Sequence, residues 1–300
     1  MREYDYEHVD VFTQSVTGGN PLAVITDADG LSSAQMQQIA REFNFSESAF
    51  VLPTDRDSCA VRVRIFTPTR EVPFAGHPNI GTAWVLAQTG RFGDIDRPIE
   101  TAFDEAAGTV AITIERTQTT AKEVLCVTLR APAPFSRGAS LPIAQVAAAL
   151  SLTDDAIDTS THAPCIASVG LPFTVVALRD AQALASAQVN VEALRFAEAK
   201  GVNPDVYCYV RDGQRVDARM FAPFDGVPED PATGSATCAA AGLLATSMKL
   251  SGDYDWQFTQ GVAMGRPSQL QARTRSDANG VSDVWLSGYC ARFATGTLSI

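Results

Sequence analysis

One feature limits this chain more than any other: a pattern that returns after 155 positions. Val61-Arg62-Val63-Arg64-Ile65-Phe66 alternates apolar and charged residues, and Val216-Asp217-Ala218-Arg219-Met220-Phe221 does the same. Such alternation marks a strand with one buried face. The same offset pairs Arg64 with Arg219, Phe66 with Phe221, Pro68 with Pro223, Val72 with Val227 and Pro73 with Pro228. Beyond each strand lies a run with few polar residues on any face, Gly76–Ala87 and Thr233–Leu244. A helix that is apolar nearly all round is a buried helix. A weaker echo pairs Gly19, Pro21 and Val24 with Gly170, Pro172 and Val175 at an offset of 151, as an insertion would produce. Identities held at one offset inside one pattern outweigh chance matching. The chain therefore reads as a duplicated α+β unit of strands, a loop and one buried helix. Its 300 residues suit two domains, 1–130 and 131–284, with Ala131–Ser140 (Pro132, Pro134, Gly138) as the expected linker. Two such halves would face one another across a cleft, a common place for small-molecule sites.

Further elements follow from local signals. A strand is expected around Val9–Phe12, a turn at Gly18-Gly19-Asn20 and a second strand at Leu22–Ile25. Ser32 and Gln35 form a capping-box signature, and Met36, Ile39, Ala40 and Phe43 recur at helical spacing, so a helix should run to about Asn44. Phe50-Val51-Leu52 reads as strand.

Composition excludes several classes. The net charge of −11 repels phosphate backbones, so no nucleic-acid partner is expected, while a local site could still hold a small anion. The six cysteines are scattered with no C-x-x-C pair and read as reduced, mostly buried residues. His8, His77 and His162 are the only histidines, and nothing in the sequence calls for a metal or an organic cofactor. There is no basic, apolar leader and no apolar run of the ~18 residues that a membrane span needs. A cytoplasmic protein is the expectation. G-x-G-x-x-G, Walker A, H-E-x-x-H and G-x-S-x-G are all absent.

The candidate chemistry gathers at the two helix starts, Gly76-His77-Pro78 and Asp230-Pro231-Ala232-Thr233-Gly234-Ser235. Helix N-termini offer unpaired N–H groups and partial positive charge to a carboxylate, and proline suits a first turn. These turns could equally be plain helix starts. Glu47, within Phe45-Ser46-Glu47-Ser48-Ala49-Phe50, could be a poorly solvated acid and base, or an exposed glutamate at a helix-to-strand turn. His77 could shuttle a proton or make a structural hydrogen bond. Asp230 could orient an amine or hydroxyl, or cap its helix. No comparable carboxylate is evident before the second-half strand at Asp205-Val206-Tyr207-Cys208, so the expected centre is asymmetric.

These residues together resemble the PhzF-like family of phenazine biosynthesis proteins. The stretches that carry the likeness begin with Val11-Phe12-Thr13, Gly19-Asn20-Pro21-Leu22-Ala23-Val24 and Ser46-Glu47-Ser48-Ala49-Phe50-Val51. They continue through Arg64-Ile65-Phe66-Thr67-Pro68, Glu71-Val72-Pro73-Phe74-Ala75-Gly76-His77-Pro78 and Glu229-Asp230-Pro231-Ala232-Thr233-Gly234-Ser235-Ala236. Gln260-Gly261 and Gly265-Arg266-Pro267 complete them. Positions 48 and 79, Ser and Asn here, are often threonine in the family.

The resemblance implies the diaminopimelate-epimerase-like fold: two pseudo-twofold-related domains, each a mixed β-barrel around a central buried helix. The last strand, at about 285–300, would complete the first barrel, and a homodimer would be usual. It also implies a cofactor-free isomerase acting on a small carboxylate, which in the phenazine pathway is a dihydro-hydroxyanthranilate. Glu47, His77 and Asp230 fall on the family's catalytic positions, and Ser46, Gly76, Gly234 and Ser235 on its substrate-contacting ones. A two-cysteine racemase is disfavoured, because neither helix start carries a thiol and Cys238 lies later in its helix. An epimerase with a second base, and a non-catalytic binding protein, are the alternatives.

Overall fold

The computed structural model describes residues 2–119 and 123–300. It forms two compact units, Met1–Pro132 with Ser287–Ile300, and Ala133–Leu286.

Unit 1 contains β1 (Glu3–Val11), β2 (Asn20–Ile25), α1 (Ser33–Phe43), β3 (Glu47–Leu52), β4 (Val61–Phe66), β5 (Glu71–Val72) and α2 (Gly76–Gln88). It continues with β6 (Ile99–Glu105), β7 (Gly108–Gln118) and β8 (Glu123–Arg130). Unit 2 contains β9 (Ser136–Ser140), α3 (Ile143–Ala149), β10 (Cys165–Ser168), β11 (Pro172–Ala177), α4 (Ala181–Ser186) and α5 (Val191–Glu198). Then come β12 (Val206–Asp212), β13 (Arg215–Ala222), β14 (Val227–Asp230), α6 (Gly234–Ser247), β15 (Gly252–Gln260), β16 (Ser268–Asp277) and β17 (Gly280–Gly288), whose last two residues already belong to unit 1. The chain then returns to unit 1 with β18 (Cys290–Ser299).

The strand pairings repeat as the sequence pattern does. In unit 1, β2 pairs parallel with β3, β3 antiparallel with β4, β4 antiparallel with β5 and parallel with β6, and β6 antiparallel with β7. In unit 2, β11 pairs parallel with β12, β12 antiparallel with β13, β13 antiparallel with β14 and parallel with β15, and β15 antiparallel with β16. Side chains repeat too. Arg64 forks onto Glu71 at 2.7 and 2.6 Å and lies 5.1 Å from the Phe66 ring centre. Arg219 forks onto Glu229 at 2.8 and 2.9 Å and lies 4.9 Å from Phe221. Each two-pronged ion pair ties a long strand to the short strand that feeds a buried helix, which fixes where that helix starts.

Both helices are buried on nearly every face. α2 touches β1, β2, β3, β7, β8 and β18, and α6 touches β9, β10, β11, β15 and β16. Close approach needs small residues. A Cβ at Gly81 of α2 would run into Leu22 and stand 2.8 Å from the Val11 side chain, so only glycine lets the helix lie that near β1 and β2.

Several local expectations hold. Ser32 and Gln35 form the capping box, and Asn44 closes α1 in the left-handed conformation at φ 53°. Others shift. β1 begins at Glu3, because Glu3 and Asp5 face outward on either side of the buried Tyr4, which extends the strand beyond what apolar spacing revealed, and Phe12 leaves it at φ 67°. Ser136–Ser140 forms β9, paired with β10, so only the first half of the expected linker connects. Pro231 precedes α6 rather than entering its first turn.

Candidate active site

Glu47 opens β3, where the parallel pairing with β2 sets it opposite Leu22. The Arg64–Glu71 pair fixes β5, and α2 starts four residues beyond it with Gly76 and His77. This brings His77 Nδ1 to 3.2 Å from Glu47 Oε2. The imidazole is almost wholly buried, while the glutamate side chain is one-fifth exposed (3% and 20%). A carboxylate can only accept, so Nδ1 carries the hydrogen. The other ring nitrogen, Nε2, is buried with no hydrogen-bond partner. A buried, unpartnered nitrogen beside a partly open carboxylate is a costly arrangement to keep for stability alone. Ser46 approaches Asn20, Oγ to Oδ1 at 3.4 Å, and Gly76 is the buried first residue of α2. Ala75 caps that helix without any side-chain hydrogen bond.

Unit 2 holds its residues through one glutamine. Asp230 ends β14, and Thr233 Oγ1 donates to its Oδ2 at 2.5 Å. Gln260, fully buried at the end of β15, donates to the Asp230 carbonyl at 2.7 Å and to Thr233 Oγ1 at 3.0 Å. It also accepts from the Thr233 N–H at 3.2 Å. Asp230 thus braces the loop before α6 and is not its cap. The cap is Thr233, again with no side-chain cap bond. Gly234 is buried and Ser235 half-buried in the first turn.

Next to Gln260, Gly261 adopts φ 75°, and a Cβ there would overlap the Arg266 carbonyl and stand 2.6 Å from that of Pro231. Gly261→Ala should therefore cost about 2 kcal/mol or more of unit 2 stability, from left-handed strain plus overpacking. Thermal unfolding checks this, and a change under half a kcal/mol would contradict it.

The strand register corrects one expectation. Ser48 pairs with Phe66 and Val206 pairs with Phe221, so the residues just before them, Glu47 and Asp205, occupy equivalent places. Asp205 therefore holds the unit 2 counterpart of the Glu47 strand position. The 155-residue offset hides it because the halves slip by three residues before the strand. Sequence reasoning also missed Glu105, which ends β6 and is 6% exposed. Its burial raises its pKa to about 8.

The other histidines have structural partners. His8 lies against the tilted rings of Phe45 and Phe293, with ring centres 4.7 Å away in both cases. His162 Nδ1 donates to the Ala163 carbonyl at 2.9 Å and Nε2 accepts from the Tyr209 hydroxyl at 2.6 Å, with burial lowering its pKa. The Cys238 thiol is buried within α6, which pushes its pKa up to about 12 and makes it a poor proton acceptor at neutral pH. Among the described residues no three His, Cys, Asp or Glu side chains are grouped as a metal would need, and no helix is long and apolar enough to cross a membrane.

The family model for phenazine biosynthesis-like proteins, PhzC–PhzF, matches residues 9–296. The chain belongs to that family. It is 38% identical over 291 residues to a trans-2,3-dihydro-3-hydroxyanthranilate isomerase of Pseudomonas aeruginosa, covering 97% of this chain and 98% of the relative. A PhzF-family protein of Bacillus anthracis superposes with TM-score 0.86 at 22% identity over the whole of both chains. A hydroxyproline epimerase of Agrobacterium vitis superposes with TM-score 0.65 at 14% identity, over 100% of this chain and 93% of that one. The fold is thus the one PhzF proteins share with proline racemase-like enzymes, and the relatives support an isomerase activity in general for this family member.

Proposed function

We propose that this PhzF-family protein is a cofactor-independent isomerase whose Glu47 moves a proton on a small carboxylated substrate of the dihydro-hydroxyanthranilate class. The observation that carries the reading is the Glu47–His77 pair at 3.2 Å, with the far imidazole nitrogen buried and unpartnered. Glu47 removes a proton from a saturated ring carbon next to the conjugated system. The C–H electron pair moves into that system, and the carboxyl returns the proton at another of its carbons, so nothing is oxidised or reduced. His77 keeps the carboxylate aimed through Nδ1. Gly76 of α2 supplies a helix-start N–H group for the substrate carboxylate. Ser46 binds its hydroxyl or amine. In the fold this reading entails, the strands of each unit close around its buried helix as a barrel, which the neighbours of α2 and α6 favour.

The test is turnover of trans-2,3-dihydro-3-hydroxyanthranilate in deuterated water. The expected product has a shifted double bond, with deuterium at the protonated carbon to the extent that Glu47 exchanges with solvent. Inversion at one carbon with no double-bond shift would replace this reading with an epimerase. Binding with neither turnover nor label would replace it with a ligand-binding protein.

A further inference from the structure

The Gly19-Asn20-Pro21 stretch has no part in the Glu47–His77 pair, yet it stands beside Glu47 in unit 1. Asn20 opens β2 opposite Val11 of β1 and is fully buried. Gly19 before it adopts φ 61°, and a Cβ there would overlap the Val11 carbonyl and stand 2.8 Å from the Thr13 side chain. Pro21 after it favours an extended backbone at Asn20. The amide is therefore held from both sides of its own chain. Asn20 lies two residues from Leu22, so both project from the same face of β2. Leu22 meets α2 at Gly81 and is the register partner of Glu47. On that face Ser46 Oγ donates to Asn20 Oδ1 at 3.4 Å.

We infer that Asn20 is a positioning residue that sets the polarity of Ser46: by taking the Ser46 hydroxyl hydrogen it leaves Ser46 Oγ to act on the substrate as an acceptor, so the substrate group read there is a hydrogen-bond donor, an amine or a hydroxyl, and not a carbonyl or an ether. This rests on the proposed function for one point, that Ser46 meets the substrate. The chemistry of the two side chains carries the rest. A serine hydroxyl has one hydrogen and two lone pairs, and an amide oxygen can only accept. With the hydrogen aimed at Oδ1, a ligand oxygen that bears no hydrogen meets lone pair against lone pair. Such a mismatch rejects the wrong ligand as well as favouring the right one. Ser46 is half-buried and Asn20 fully so. Turning the hydrogen toward a ligand would take a hydrogen bond from a fully buried amide oxygen, a costly loss.

The probes are ortho-aminobenzoate and meta-hydroxybenzoate, which donate, and the matching methoxybenzoates, which can only accept at the same ring positions. In calorimetric titration of the full chain, at least one donor should bind about tenfold tighter than its methoxy counterpart, the worth of one hydrogen bond matched rather than opposed. Asn20→Leu removes the acceptor and frees the Ser46 hydrogen to turn. The methoxy compound should then tighten and the preference fall below about threefold, in protein that still unfolds cooperatively. Ser46→Ala removes the hydroxyl without touching Asn20 and serves as the probe if Asn20→Leu does not fold. It should weaken the donor, leave the methoxy compound where it was and so abolish the preference.

Glu47→Gln should keep the donor preference, because binding needs no proton transfer. A parent that shows the preference without turnover would lose the isomerase reading and keep this one, and turnover without the preference would do the reverse. Equal binding of donor and methoxy compounds by the parent would overturn the inference. So would tighter binding of the methoxy compounds, which would mean that the Asn20 amide donates to Ser46. Failure of both donors to bind at millimolar concentration would overturn it as well. A merely structural Asn20 would lower the unfolding temperature of Asn20→Leu and leave the preference of the folded variant intact, which is equally fatal.

Discussion

Glu47→Gln should lower turnover about 10²–10⁴-fold, the usual worth of a positioned general acid or base. That corresponds to roughly 3–5 kcal/mol of transition-state stabilisation. The substitution is nearly isosteric. The amide oxygen can still accept from His77 Nδ1, so the 3.2 Å contact and the fold should persist. What is lost is the ability to take and return a proton. Saturating-substrate kinetics should therefore show a fall in kcat with an unfolding temperature close to the parent's. Unchanged turnover in the folded variant would remove Glu47 from the chemistry and leave the pair with His77 a structural contact.

Glu105 should make stability fall as pH rises through neutrality. The folded protein holds the Glu105 proton up to about pH 8, whereas the unfolded chain releases it near the ordinary 4.5. Between those values the native state binds the extra proton, so each step up in pH favours unfolding. A tenfold difference in proton affinity between the folded and unfolded chain is worth about 1.4 kcal/mol, so the full effect approaches about 5 kcal/mol by pH 8.5. It vanishes below pH 4.5, where both states are protonated. Glu105→Gln cannot ionise. Relative to the parent it should gain stability at pH 8.5 and be nearly neutral at pH 5, as read from urea midpoints at the two values. The buried His162 acts with the opposite sign, losing stability as pH falls below its unfolded value, but it is common to both proteins and cancels in the difference. Equal parent-to-variant differences at both pH values would mean that Glu105 does not hold its proton in the fold.

What the residues disclosed before the structure depended on whether burial left a periodic trace. The β4 and β13 strands were legible because each buries one face, so their charges alternate. α2 and α6 were legible because being buried all round leaves no polar face to interrupt the run. Glu47 and His77 could be named, but their contact could not, since it depends on β3 and α2 being brought together from thirty positions apart. Glu105 gave no signal. Asp104-Glu105-Ala106-Ala107-Gly108 has the composition of an exposed hairpin turn, and only the fold makes Glu105 a buried residue while Asp104 finds an arginine. Asp205 was hidden by a change of offset, which strand pairing exposes and residue matching does not. Gln260 lay in a recognised stretch, yet its work of tying Asp230 to Thr233 needs β15 and the loop before α6 to meet.

The return of β18 to pair with β1 along its whole length has a consequence for how the molecule is made. Until β18 leaves the ribosome, β1 is bonded on only one side, by β2, and its other edge is open to stray partners. The central unit, contiguous from Ala133 to Leu286, is synthesised in full before the first unit can close. Assembly thus runs against the usual N-terminal-first order of synthesis, and the half that bears Glu47 waits longest for its last strand.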